Sequence, residues 1–328
     1  MKKNIFLAIA AVALLLASCK NEDISISREI SFQVNPYTVV SEFAKHEVNT
    51  GDVQSLPDVC RLHTYLLVYD KDGNLVKSEQ NNLQDYLSRM NVNVELTDGN
   101  YTAVAITYVV VVSGETAGVE FWSVSGIDRL ANLTVTRNAE VWAYQYGILG
   151  IQTEQVAVGT GKNAITIDVK PAGAFVVNWI YNLHQYDNEV QYYQPFMTKE
   201  STSCTFSSNG QYTANYNQST DYIYPLMEQV WPQYYEYVTV YTYSFFLPFG
   251  QTGFRWEALL TDNQYVSLFD EPTGNIQQGK CYQFAMDLST QQVVFQELTN
   301  GKSAMAHADA QAVNLGAASI GKRVATTK

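Results

Sequence analysis

Positive charge is scarce in this chain of 328 residues, where 20 lysines and arginines stand against 32 aspartates and glutamates for a net charge of −12. That balance argues against nucleic acid and anionic lipid surfaces as partners, because both select basic patches. Histidine is rarer still: His46, His63, His184 and His307 are scattered, with none in an H-E-x-x-H run or an i, i+4 pair. A metal site built on them is unsupported. Cysteine occurs four times without a C-x-x-C spacing, which speaks against zinc ribbons and thioredoxin-like chemistry. There is no G-x-S-x-G elbow and no phosphate-binding glycine loop. Cys60 and His63, three apart on one expected strand, face opposite sides and do not form a Cys-His pair. Asp70-Lys71-Asp72-Gly73 looks like the opening of a calcium loop, but its glycine comes two positions early. No local pattern nominates a carboxylate pair for glycoside hydrolysis. The residues therefore point away from an enzyme, and they ask for no cofactor or metal.

Apolar runs long enough to cross a bilayer as a helix are also absent. Lys2 and Lys3 precede an apolar stretch over residues 5–16, too short to cross a bilayer as a helix, so it reads as a secretory signal. It ends in Leu16-Ala17-Ser18-Cys19, which resembles the lipobox of bacterial lipoprotein precursors. That resemblance implies that residues 1–18 are removed and that Cys19 becomes the lipidated N-terminus. Acyl chains, each CH₂ contributing about 0.8 kcal/mol on burial, then hold the protein on a membrane without a spanning helix. The following Lys20-Asn21-Glu22-Asp23 resembles the acidic export signal that sends Bacteroidota lipoproteins to the outer face of the outer membrane. With Lys2 and Lys3 gone, the mature chain is more acidic still.

Tyrosine, by contrast, is plentiful at 23 residues, while charged residues make up only 16%. Tyrosine favours strands and wet interfaces, so the composition suggests an all-β exported protein. Residues 31–40 alternate as a first strand after a polar tether over 19–30. Residues 62–69 are apolar on both faces and lead into an Asp-Gly turn at 70–74, a strong hairpin signal. Leu83, Tyr86, Leu87 and Met90 fall at helical spacing and predict a short amphipathic helix. A second turn at 97–100 precedes a long β-branched and aromatic run over 101–112. Between 152 and 164 the chain turns rich in Gly, Thr and Gln, and a domain boundary is expected there. The expected plan is two β-sandwich domains, 31–155 and 160–300, followed by a disordered Ala-, Gly- and Ser-rich tail over 301–328. Beyond Cys19 the cysteines are Cys60, Cys204 and Cys281; either Cys204 and Cys281 pair as a disulfide, or all three are separate core thiols.

These pieces converge on a family. The lipobox with its acidic follower, the strand-turn-strand over 66–76, the segment Leu96-Thr97-Asp98-Gly99-Asn100-Tyr101 and a second β region ending in Gly279-Lys280-Cys281-Tyr282 together resemble the fimbrillin-like lipoproteins of Bacteroidota. More narrowly they are similar to the anchor subunits of type V fimbriae. The resemblance implies two consecutive transthyretin-like, Greek-key sandwich domains. It also implies fimbrillin shaft subunits as partners through strand exchange, and the outer membrane as partner through the N-terminal lipid. Shaft subunits of the family are cut near the N-terminus by an arginine-directed protease, for which Arg28 and Arg61 are the sites available here, so a shaft or tip role stands beside the anchor role. A rival reading is a surface glycan-binding lipoprotein that uses the tyrosines between positions 181 and 243, with Trp231 or Trp256, as sugar platforms.

Overall fold

A computed structural model of the chain describes residues 26–36, 58–114, 117–138, 148–159, 162–181, 190–197, 201–215, 224–225, 240–246, 253–272, 276–287 and 292–297. Among the described residues the protein is all-β, with a single 3-10 turn at Leu130–Asn132. Its first ten strands are β1 (Ser27–Asn35), β2 (Cys60–Tyr69), β3 (Leu75–Leu83), β4 (Met90–Thr97), β5 (Gly99–Val111), β6 (Trp122–Ser125), β7 (Thr134–Arg137), β8 (Leu149–Val158), β9 (Ala164–Asp168) and β10 (Lys170–Pro171). The remainder are β11 (Ala174–Tyr181), β12 (Val190–Met197), β13 (Ser203–Phe206), β14 (Tyr212–Asn215), β15 (Tyr224–Pro225), β16 (Val240–Phe246), β17 (Gly253–Leu260), β18 (Tyr265–Pro272), β19 (Cys281–Asp287) and β20 (Gln292–Glu297).

The largest sheet runs β10-β8-β5-β2-β3. Its middle is β5, buried from Tyr101 to Val110 on both faces, as its largely apolar run requires. One polar pair inside this region is satisfied internally, the hydroxyls of Thr64 and Thr107 lying 2.9 Å apart across β2 and β5. The β2–β3 hairpin forms where Asp-Gly predicts it. Asp70 Oδ1 accepts the amides of Asp72 and Asn74 at 2.9 Å each, and Gly73 takes the left-handed φ of 76° that the turn needs.

At residues 83–90 the chain departs from expectation. No helix forms there: β3 ends at Leu83, β4 starts at Met90, and a turn joins them. Asp85 Oδ1 accepts the amides of Leu87 at 3.0 Å and Ser88 at 2.8 Å, so the side chain supplies the backbone partners a helix would have given. Leu83, Tyr86 and Met90 are buried as the spacing implied, but Leu87 is 69% exposed. The first strand also starts earlier than expected, because Arg28 and Glu29 already pair with Leu96 and Glu95 of β4, which shortens the expected tether.

Asp98 marks a passage between sheets rather than a hairpin tip, since β4 pairs with β1 while β5 enters the large sheet. A three-stranded sheet, β4-β1-β9, covers one side of the core, with β1 antiparallel to β4 and parallel to β9. A four-stranded sheet, β14-β13-β7-β6, joins strands from both sides of position 160, Cys204 facing Val135 in the β13–β7 ladder. Two further four-stranded sheets, β16-β11-β19-β20 and β15-β12-β17-β18, are built wholly from residues after Gly173. The buried cluster that includes Ile30, Leu66, Val104, Trp122 and Val135 reaches Phe175 and Cys281. The Gly-, Thr- and Gln-rich stretch expected as a linker is the half-exposed part of β8 and the turn at Gly159, and β9 and β10 beyond it still pair with β1 and β8.

Candidate functional site

Two places combine geometry with an unusual composition. The first is the seat of β1. Ile30, Phe32 and Val34 point inward and are buried, while Ser31, Gln33 and Asn35 line the outer face. Hydrogen bonds join that outer face to its neighbours, from Gln33 Nε2 to Asn91 Oδ1 at 3.2 Å and from Asn35 Nδ2 to Asp168 Oδ1 at 3.1 Å. Ser31 Oγ lies 2.5 Å from Asn93 Oδ1. Backbone pairing runs along both edges, with Phe32 opposite Val92 on β4 and Ile165 on β9. Thus β1 fills a slot between two strands and supplies alternate apolar side chains to the core, the arrangement in which one extended segment can stand for another. Arg28 sits at the entrance of the slot, its Nε 2.8 Å from Asp98 Oδ1, and this partner raises its pKa. Arg61 lies inside β2, with Nη1 donating to the carbonyls of Asp58 at 2.9 Å and Cys60 at 2.6 Å.

The second is a cleft of about 700 Å³ between β8, β10, the β13–β14 hairpin and the turn at Gln278 and Gly279. Its wall is held by the hairpin tip: Thr153 Oγ1 donates to the Gly210 carbonyl at 2.9 Å and Gln155 Nε2 to the Asn209 carbonyl at 3.4 Å. Gly210 has a φ of 81°, and a Cβ there would lie 2.6 Å from the Thr153 methyl and 2.9 Å from that of Thr102, so only glycine fits. Tyr212 lines the cleft and packs near Phe206, ring centroids 5.9 Å apart; burial, aided by neighbouring Cys204, pushes its hydroxyl up to about 12. Gln152 is occupied, its Nε2 donating to Glu154 Oε1 at 3.0 Å.

The residues singled out from the sequence are distributed otherwise. Cys19, Lys20, Asn21, Glu22 and Asp23 lie outside the described residues, as do Trp231 and the tail over 301–328. Trp256 falls on β17 and Tyr241 and Tyr243 on β16, whereas Tyr216, Tyr222, Tyr234, Tyr235 and Tyr237 lie outside the described residues. Tyr192 and Tyr193 are buried on β12. The disulfide considered between Cys204 and Cys281 is not formed: both are buried free thiols, one on β13 and the other on β19, in different sheets. Burial pushes each of these thiols up to about 12 and raises that of Cys60 as well. Asp70 serves its own turn, and no cluster of metal-ligating side chains occurs among the described residues. Sequence reasoning missed the cleft, because its polar side chains come from strands far apart in the chain and share no local motif.

No protein-family model matches the chain, and no curated protein does. Among solved structures, a candidate adhesin from Bacteroides thetaiotaomicron VPI-5482 is similar with a TM-score of 0.51 at 13% identity, over 84% of this chain and 97% of that one. A candidate polysaccharide-binding protein from the same organism has a TM-score of 0.49 at 15% identity, over 82% of this chain and 98% of its own. The fimbrial anchor protein Mfa2 from Porphyromonas gingivalis has a TM-score of 0.44 at 15% identity, over 84% of this chain and 98% of its own. The first likeness is one of fold; the two looser ones carry no argument. At the level of fold, then, the chain resembles a Bacteroides adhesin.

Proposed function

We propose that this protein is a fimbrial anchor subunit, a non-enzymatic lipoprotein held on the outer membrane through Cys19, displayed at the cell surface, and joined to fimbrillin shaft subunits by strand exchange. The observation that carries the reading is the position of the arginines around β1. In the family that the sequence resembles, shaft subunits are trimmed by an arginine-directed protease. Here Arg28 precedes the buried residues Ile30, Phe32 and Val34, so a cut after it would leave them in place. No arginine follows until Arg61, which lies within a central strand and donates to two carbonyls. A protease would have to open β2 to reach it. Retention of β1, together with a lipid at Cys19, suits a subunit that stays at the base of the fibre. Mass spectrometry of the protein recovered from cells tests this: the expected N-terminal species carries lipid on Cys19 and includes the peptide over 29–61. A mature N-terminus at Glu29, which would have lost Cys19, or at Leu62 would contradict the anchor reading.

A further inference from the structure

The cleft between β8, β10 and the β13–β14 hairpin has no part in the β1 seat, and its chemistry is of another kind. Four of its polar side chains, Lys170, Gln211, Thr213 and Gln278, make no side-chain hydrogen bond or ion pair among the described residues. They come from three separate elements and converge on a volume of about 700 Å³, within the range of small-molecule sites. Pro171 and Tyr212 add apolar surface beside them. A glutamine amide offers a donor and an acceptor side by side, the complement of neighbouring hydroxyls on a sugar ring, and an aromatic ring suits its C–H face. Among the described residues lining the cleft, Lys170 is the only charged one and none is a carboxylate, in a chain whose net charge is −12.

We infer that this cleft binds a short acidic oligosaccharide, with Lys170 facing its carboxylate or sulfate and Gln211, Thr213 and Gln278 its hydroxyls. The inference does not depend on the fimbrial reading: the cleft lies on other sheets than β1, although Lys170 follows Val169, whose amide donates to the Asn35 carbonyl of β1 at 3.0 Å. Calorimetry on the purified full-length protein tests it with trigalacturonic acid and a chondroitin sulfate tetrasaccharide as acidic probes and maltotriose as the neutral one. At least one acidic probe binds, maltotriose binds about tenfold more weakly or not at all, and Lys170→Gln weakens the acidic probe by about tenfold. Gln211→Ala combined with Gln278→Ala also weakens it. Because all three side chains are exposed, thermal unfolding of these variants stays at the wild-type temperature. Hydrogen exchange on the wild-type protein gives a readout free of any variant: the bound probe slows the amides of residues 210–213 and 278–279. Failure of both acidic probes to bind, equal binding of maltotriose, or protection confined to other strands would overturn the assignment.

Discussion

Single residues set the local geometry on which everything else rests, and Asp70 is the clearest case. Partial burial raises the pKa of its carboxyl, but hydrogen bonds from the Asn74 amide and side chain and from the Asp72 amide outweigh this, and the net shift is downward. A carboxyl whose folded pKa is depressed contributes stability that is present above its unfolded pKa, about 3.9, and lost as pH falls through the folded value. Asp70→Ala should therefore destabilise the protein by about 1 kcal/mol at pH 7, and the difference from wild type should shrink as the pH is lowered below about 4. Urea unfolding at several pH values checks this; a difference that grows with acidification would contradict the role given to the carboxylate. The Asp-Gly hairpin was legible in the sequence because a tight turn is decided by two or three adjacent residues. The helix expected at 83–90 was not, because the same apolar spacing serves a turn once Asp85 caps Leu87 and Ser88. Periodicity recorded the burial of Leu83, Tyr86 and Met90 but neither the exposure of Leu87 nor the backbone between them.

At the scale of elements, the β13–β14 hairpin is the piece that sequence could least reveal. Its strands lie in the half expected to form a second domain, yet β13 pairs with β7 and its tip rests against Thr102 and Thr153 of the large sheet. Contacts across such separations leave no local pattern, whereas β5, whose burial is written into a run of mostly apolar and β-branched residues, could be read directly. Gly210 is the point where the hairpin meets the sheet. Gly210→Ala should cost about 1–3 kcal/mol, from the strained positive φ and from the two methyl contacts under 3 Å. Hydrogen exchange should then quicken first in β13 and β14 rather than in β5. Uniform quickening across the large sheet would mean that the hairpin is not a separate clamp.

For the molecule as a whole, strand pairing ties together what composition divides. The expected boundary at 155–160 falls where β8 ends, but β9, β10, β13 and β14 all follow it and complete sheets begun before it. A protein nicked between Gly159 and Gly161 should therefore migrate as one species in gel filtration and separate only in denaturant. Separation of the two fragments under native conditions would favour independent domains divided at 155–160. The proposed anchor role is tested at the same scale: if the protein fixes one end of a fibre by its lipid and meets the next subunit through a strand slot, loss of the lipid should release intact fibres. The most direct measurement is the partition of fimbriae between cells and medium in the source bacterium carrying Cys19→Ala. Polymerised fimbriae should continue to assemble and appear in the medium, with few left on the cells. Fimbriae retained on Cys19→Ala cells at wild-type number and length would contradict the anchor reading.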